Sequence, residues 1–217
     1  MILEIRALPP FMKNGFVLGC EATREGVVID PGDDVDLLLA AVELHALKPV
    51  AILLTHAHLD HVTGVARAKA VLNVPVWLHE ADDFLYKEVV QQGMMFGLRV
   101  DPQPPIDHFY EEDQTLRCGE YEIAVHHTPG HCPGGVALAV NGDPRTQGPT
   151  ERRILIVGDT LFAGSIGRTD LPGGDLETLL RSIRDVLFAY PDGTPVYPGH
   201  GEPTTIGQER RTNPFLQ

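Results

Sequence analysis

Four short polar clusters in this chain carry metal-ligating residue types, and each follows a short apolar run of β character. They are Thr55-His56-Ala57-His58-Leu59-Asp60-His61 after Val50–Leu54, His131 in Thr128-Pro129-Gly130-His131, Asp159 in Gly158-Asp159-Thr160, and His200 in Pro198-Gly199-His200-Gly201. Loops at the ends of core strands are where a rigid scaffold holds functional side chains. The ligand types are imidazole and carboxylate alone, a set that suits divalent zinc, iron, manganese or nickel. Seven such ligands exceed what one tetrahedral ion needs. They suit two ions bridged by a shared carboxylate, with the remaining positions open to water. Residues two apart in an extended segment point the same way. His56 and His58 are thereby placed to chelate one ion, and Asp60 with His61 to turn toward a second. Each cluster alone has a plainer reading as a solvated His-rich turn, a turn histidine or, for Asp159, a turn or helix cap. The four together point to a metal site.

The elements that must position these loops are short and interleaved. Ile2–Arg6, Phe16–Cys20, Val27–Asp30, Val50–Leu54, Pro75–Leu78, Glu122–His127, Val136–Val140, Ile154–Val157 and Thr194–Tyr197 read as strands. Val35–Leu47, His61–Leu72, Ala81–Gln91 and Leu176–Ala189 read as helices, with Asp33 or Asp34 capping the first and Asp175 the last. Gln92 to Asp113 is a candidate mobile loop or lid, and Asn141–Arg153, with Gly142, Pro144, Gly148 and Pro149, a hairpin tip. Interleaved strands and helices without a linker argue for a layered α/β domain.

Composition narrows the function classes. The chain has 217 residues, of which 43% are hydrophobic and 22% charged, enough for a real core and inconsistent with whole-chain disorder. Lys and Arg number 17 against 30 Asp and Glu, a net charge of −13 that repels phosphate backbones and argues against nucleic-acid binding. No apolar run approaches the roughly 20 residues of a membrane span. The N-terminus lacks the basic head and long apolar stretch of a secretory signal, and the three cysteines (Cys20, Cys118, Cys132) lack CxxC spacing. The expectation is a cytoplasmic protein without a disulfide scaffold or membrane partner; its oligomeric state is not legible.

The run THAHLDH resembles the HxHxDH signature of the metallo-β-lactamase superfamily, and TPGH, GDTLF and PGHG resemble its later ligand loops, in order along the whole chain. The resemblance implies an αββα four-layer sandwich over residues 1–217 as one domain with a dinuclear site at one edge. It implies that His56, His58 and His131 hold the first ion, that Asp60, His61 and His200 hold the second, and that Asp159 bridges. Zinc is the expected metal, with iron or manganese as alternatives. Lactamases with a cysteine at the second site carry it where this chain has Asp159, which argues against that branch. Asp159–Asp170 and the tail Glu209–Leu216, with its Asn213-Pro214-Phe215, resemble glyoxalase II, the hydroxyacylglutathione hydrolases. Only 17 residues follow His200, so the chain resembles a short, single-domain branch without the C-terminal helical domain of ordinary glyoxalase II.

That likeness implies hydrolysis of a small-molecule thioester, S-D-lactoylglutathione or a related hydroxyacyl thioester. The attacking group would be a hydroxide bridging the ions, with Asp60 orienting it and accepting its proton. Arg168 is a candidate anchor for a substrate carboxylate, its equal alternative being a pair with Asp170. A different class on the same ligands is an Fe(II) persulfide dioxygenase acting on glutathione persulfide through His56, His131 and Asp159. Ser165-Ile166 and the run Leu171-Pro172-Gly173-Gly174 after Gly167-Arg168-Thr169-Asp170 resemble the short hydrolase branch and lean toward the hydrolase. A lactonase, a nuclease and a non-catalytic binding module are further readings, the last disfavoured by the full ligand set. His79, His126, His127, His45 and His108, the pair Arg210 and Arg211, Cys132, Met94–Phe96 and Leu161-Phe162 read first as structural or surface residues.

Overall fold

The computed structural model describes residues 1–8, 11–141 and 153–217. They divide into two compact units, Met1–Tyr110 with Cys118–Glu120, and Glu111–Arg117 with Tyr121–Gln217. Each is built on a six-stranded sheet with its own helices. The expected hairpin tip at 141–153 lies outside the described residues except for its two ends.

The first unit runs β1 (Ile2–Leu8), β2 (Lys13–Gly19), β3 (Glu25–Ile29), α1 (Val35–Leu44), β4 (Lys48–Leu53), α2 (Leu59–Val62), α3 (Val65–Leu72), β5 (Val76–Leu78), α4 (Asp83–Lys87), α5 (Val89–Met95) and β6 (His108–Phe109). The sheet order is β1-β2-β3-β4-β5-β6. β1 to β3 form an antiparallel meander, and β3 to β6 are parallel. Strands with helices between them run parallel because the crossover brings the chain back to the same end. β3, β4 and β5 therefore deliver Asp30, His56 and His79 from one edge, the carboxyl ends of parallel strands where open α/β sheets place their sites.

Several boundaries differ from the sequence reading. α1 stops at Leu44 rather than Leu47 because Ala46 turns left-handed at φ 49°. Asp34 occupies its N-cap position without a side-chain cap bond. The expected helix His61–Leu72 is two helices, parted at Thr63-Gly64. A Cβ on Gly64 would lie 2.3 Å from the Gly32 carbonyl oxygen, so the break is where two backbones meet. The region Gln92 to Asp113 begins as helix, since α5 continues to Met95.

The second unit carries β7 (Thr115–Cys118), β8 (Tyr121–His127), β9 (Val136–Val140), β10 (Ile154–Ile156), β11 (Leu161–Phe162), β12 (Ser165–Ile166), α6 (Leu176–Asp185), β13 (Pro195–Tyr197), β14 (Thr204–Thr205) and α7 (Ile206–Thr212). Its large sheet is ordered β14-β13-β10-β9-β8-β7, with β10 and β13 parallel. α6 buries Leu179 and Ile183 in a core with Ala137, Leu155, Val196 and Tyr190. Its N-cap is Asp175, whose Oδ1 accepts from Thr178 N at 2.7 Å. α6 ends at Asp185 and a 3₁₀ turn, Leu187–Ala189, replaces the last part of the expected helix.

Candidate metal centre

The first cluster follows β4. Leu54 still bonds to the neighbouring strand through its N–H to Trp77 O at 3.0 Å, the chain bends at Thr55, and His58, at φ −70° and ψ 151°, precedes α2, which carries Asp60 and His61. His56, His58 and His61 are 1%, 8% and 0% exposed. The His56 ring lies 4.9 Å from that of His58 and 4.0 Å from that of His61, centroid to centroid. The ligand atoms of His56 and His58, of His56 and His61, and of Asp60 and His61 lie within 4.8 Å of one another. Burial costs an imidazole little if it stays neutral, and neutral imidazoles converging with carboxylates are what a divalent cation requires.

The loop is held by side chains from three other segments. Asp30, which follows β3 in the left-handed region at φ 50°, is fully buried. Its Oδ1 accepts from Thr55 N at 2.7 Å and its Oδ2 from Thr55 Oγ1 at 2.6 Å. Oδ2 also lies 3.0 Å from His61 Nδ1. A carboxylate oxygen accepts, so His61 carries its proton on Nδ1 and turns Nε2 inward, the arrangement that orients a metal-binding imidazole. Asp82, fully buried, accepts from Ala57 N at 3.0 Å. Gln92 of α5 accepts from Leu59 N at 3.1 Å and donates to Ala57 O at 3.1 Å and Leu85 O at 2.7 Å. Sequence reasoning missed all three. The faint signal is Asp30-Pro31-Gly32 at the end of the Val27–Asp30 run.

The second unit gathers His131, Asp159 and His200 at the ends of β8, β10 and β13. Asp159 Oδ2 lies 3.6 Å from His131 Nε2 and 3.4 Å from His200 Nε2, so one carboxylate faces both imidazoles. Gly199 N donates to Gly158 O at 2.7 Å, and Thr128 Oγ1 meets Thr160 Oγ1 at 3.1 Å, tying the loops together. Gly130, at φ 128°, packs so closely on α6 that a Cβ would fall 2.2 Å from Leu179 N. His131 Nδ1 donates to the Arg168 carbonyl at 2.7 Å, which turns its Nε2 toward Asp159. The Nε2 atoms of His56, His58 and His61 and Oδ1 of Asp159 are all buried. The ligand types, burial and orientation of both clusters fit divalent metal.

Of the remaining candidates, Arg168 is an exposed bidentate partner of Asp170, with both bonds at 2.7 Å. The guanidinium hydrogen bond holds the Asp170 carboxyl down at about 2. The role visible in the fold is that of its backbone carbonyl on His131. Arg210 and Arg211 both pair with Asp192. His79 accepts from Ala81 N, His45 pairs with Glu4, and the ring of exposed His108 lies tilted against Trp77, 4.5 Å between centroids. His126 is buried on Tyr190 Oη whereas His127 faces out, as strand alternation requires. Cys132 is buried, as is Leu161, while Phe162 is half-buried with its ring 6.1 Å from that of His200. Met94, Met95 and Phe96 are exposed rather than packed in a core, and Phe96 meets Phe11 edge to face. In the tail, buried Asn213 donates to Ser165 O at 2.9 Å and Glu209 accepts from Gly164 N at 2.9 Å, so that segment secures the β11–β12 turn after Asp159.

Comparison with known proteins agrees with this description. The family model of the metallo-beta-lactamase superfamily matches residues 8–200, and the chain belongs to that superfamily. It is 36% identical to the hydroxyacylglutathione hydrolase GloC of Haemophilus influenzae, over 100% of this chain and 98% of that protein. Among solved structures it is similar to the BLEG-1 B3 metallo-beta-lactamase, with a TM-score of 0.89, 36% identity and full coverage of both chains. It is also similar to TTHA1623 in a di-iron-bound form, with a TM-score of 0.84 and 40% identity over 98% of this chain and all of that one. The fold is thus the metallo-β-lactamase fold. Among the described residues no helix is long and apolar enough to cross a membrane.

Proposed function

We propose that this protein is a dinuclear metallohydrolase that cleaves thioesters, with S-D-lactoylglutathione or a related hydroxyacyl glutathione thioester as substrate. In this reading His56, His58 and His131 hold one ion, Asp60, His61 and His200 hold the other, and Asp159 serves both. The observation that carries it is the Asp159 carboxylate facing His131 and His200 at once, two histidines that belong to different ions in this assignment. The full-length relative named hydroxyacylglutathione hydrolase supports the substrate class.

Two bound divalent ions would make water acidic enough to ionise near neutral pH and would polarise a carbonyl oxygen. Asp60, whose Oδ2 stands 3.8 Å from His61 Nε2, orients the attacking water and takes its proton. Asp30 and the Arg168 carbonyl keep His61 and His131 in the tautomer that presents Nε2. Water adds to the thioester carbon, the carbon–sulfur bond breaks, and the products are a carboxylate, a thiol and one released proton. A thiolate leaves without a strong general acid, so no further protonated side chain is required. Zinc fits the ligand set, and iron and manganese fit it as well.

The test is turnover of S-D-lactoylglutathione by the metal-loaded chain, run beside oxygen uptake with glutathione persulfide and hydrolysis of a chromogenic cephalosporin. The similarity to a B3 β-lactamase makes the cephalosporin the necessary third arm. Thioester hydrolysis that disappears in Asp60→Asn supports the proposal. Oxygen uptake on one iron, or cephalosporin hydrolysis without thioester hydrolysis, overturns it.

A further inference from the structure

Lys13 is the first residue of β2, yet it is 3% exposed, an unusual place for an ammonium group. Its Nζ donates to Asp34 Oδ1 at 2.9 Å and to the main-chain carbonyl of Asp30. Asp34 is 2% exposed, and its Oδ2 accepts from Gly15 N at 3.1 Å. This explains why Asp34 sits at the start of α1 without capping it. The approach is so close that a Cβ on Gly15 would lie 2.3 Å from Asp34 Oδ2.

We infer that Lys13 is a positioning residue for the metal centre, acting through the left-handed backbone of Asp30 to aim the Asp30 carboxylate at His61. The links are continuous within the first unit. Nζ grips the Asp30 carbonyl, Asp30 N donates to Leu53 O at 3.0 Å, and the carboxylate then takes Thr55 N, Thr55 Oγ1 and His61 Nδ1. A non-glycine residue at φ 50° persists only where its surroundings hold it. The ammonium supplies that hold, and Asp34 balances its charge, as a buried charge requires. The inference goes beyond the proposed reaction but rests on the same metal site.

The test compares the full-length protein with Lys13→Met, which keeps the stem and removes the charge and donors. Metal-free samples are titrated with Co(II), and the histidine ring nitrogens are followed by NMR. Two Co(II) equivalents in the natural sequence test the metal site. The ratio of affinities between that protein and Lys13→Met tests Lys13. The expected result is one binding step weakened about tenfold or more, as loss of an outer partner of a ligand does, with the His61 ring leaving its single Nδ1-protonated form. Should Lys13→Met fail to fold, the charge-balanced pair Lys13→Met with Asp34→Asn restores folding, and the same weakening is expected there. A variant with a lower melting temperature but unchanged Co(II) affinity and an unchanged His61 tautomer overturns the inference. A natural sequence that binds no Co(II) overturns the metal site and the inference with it.

Discussion

A methyl group at position 32 has no space. The Cβ of Gly32→Ala would stand 1.8 Å from the Asp60 carbonyl oxygen, 3.0 Å from its carbonyl carbon and 2.8 Å from Lys13 Cε. Ordinary van der Waals contact begins at 3.4 Å, so the shortfall is about 1.6 Å. The nearest obstacle is backbone on both sides. Gly32 N donates to Asp30 O at 2.9 Å, Val35 N to Gly32 O at 3.2 Å, and Gly64 N to Pro31 O at 2.8 Å. The strain must therefore displace the Asp30 turn, the first turn of α2, or both. Overpacking of this kind costs about 1–3 kcal/mol. For a chain of this size that is a fall in melting temperature of roughly 2–12 °C. The effect on function should be larger, because both turns carry the candidate site, and a misplacement of about 1 Å costs on the order of 10²-fold in turnover. The assay is scanning calorimetry of metal-free and loaded protein, with initial rates on S-D-lactoylglutathione. Gly193→Ala, whose Cβ meets nothing within 4 Å among the described residues, is the control and should change neither. A Gly32→Ala protein with the melting temperature and rate of the natural sequence would refute the reasoning.

Gln92→Leu strips the bonds to Ala57 O, Leu59 N and Leu85 O and should cost about 1–3 kcal/mol by denaturant titration, with a weakened affinity for metal in the same protein. Asp175→Ala removes the cap of α6 and should lower stability by about 1 kcal/mol without altering metal content. Burial pushes the Cys118 thiol from its ordinary 9.0 up to about 12, which lowers its thiolate fraction near pH 8 by ~10³-fold. Iodoacetamide should therefore label Cys118 only on unfolding. Because the folded chain keeps this proton after the unfolded chain has lost it, stability should decline as pH rises from about 9 toward 12. Labelling of folded protein at the rate of a free thiol would contradict this.

The candidate ligating residues were legible as candidates because their types are chemically unusual and each follows a β run, a pattern carried by local sequence. So was the Asp175 cap, where an acidic residue precedes an amphipathic segment. What holds the ligands was not legible. Asp30, Asp82 and Gln92 reach the His56–His61 loop from 25, 25 and 33 positions away, and only the sheet order brings them there. Nothing nearby in sequence announces the Lys13–Asp34 pair, whose members stand 21 positions apart. Asp34 itself looked like a helix cap, and the tertiary ion pair displaced that local preference. The helix break at Gly64 is likewise tertiary: local periodicity runs on through His61–Leu72, but at Gly64 the chain packs against the Gly32 and Pro31 carbonyls so closely that a Cβ would not fit.

The most direct test of the proposed two-ion site is elemental analysis of the chain purified without added metal and after reloading, with His131→Ala and His61→Ala beside it. About two ions per chain are predicted for the natural sequence, falling to about one in each variant, with zinc, iron or manganese as the metal. A natural sequence that never exceeds one ion, or variants that keep two, would contradict the assignment of His131 and His61 to separate ions.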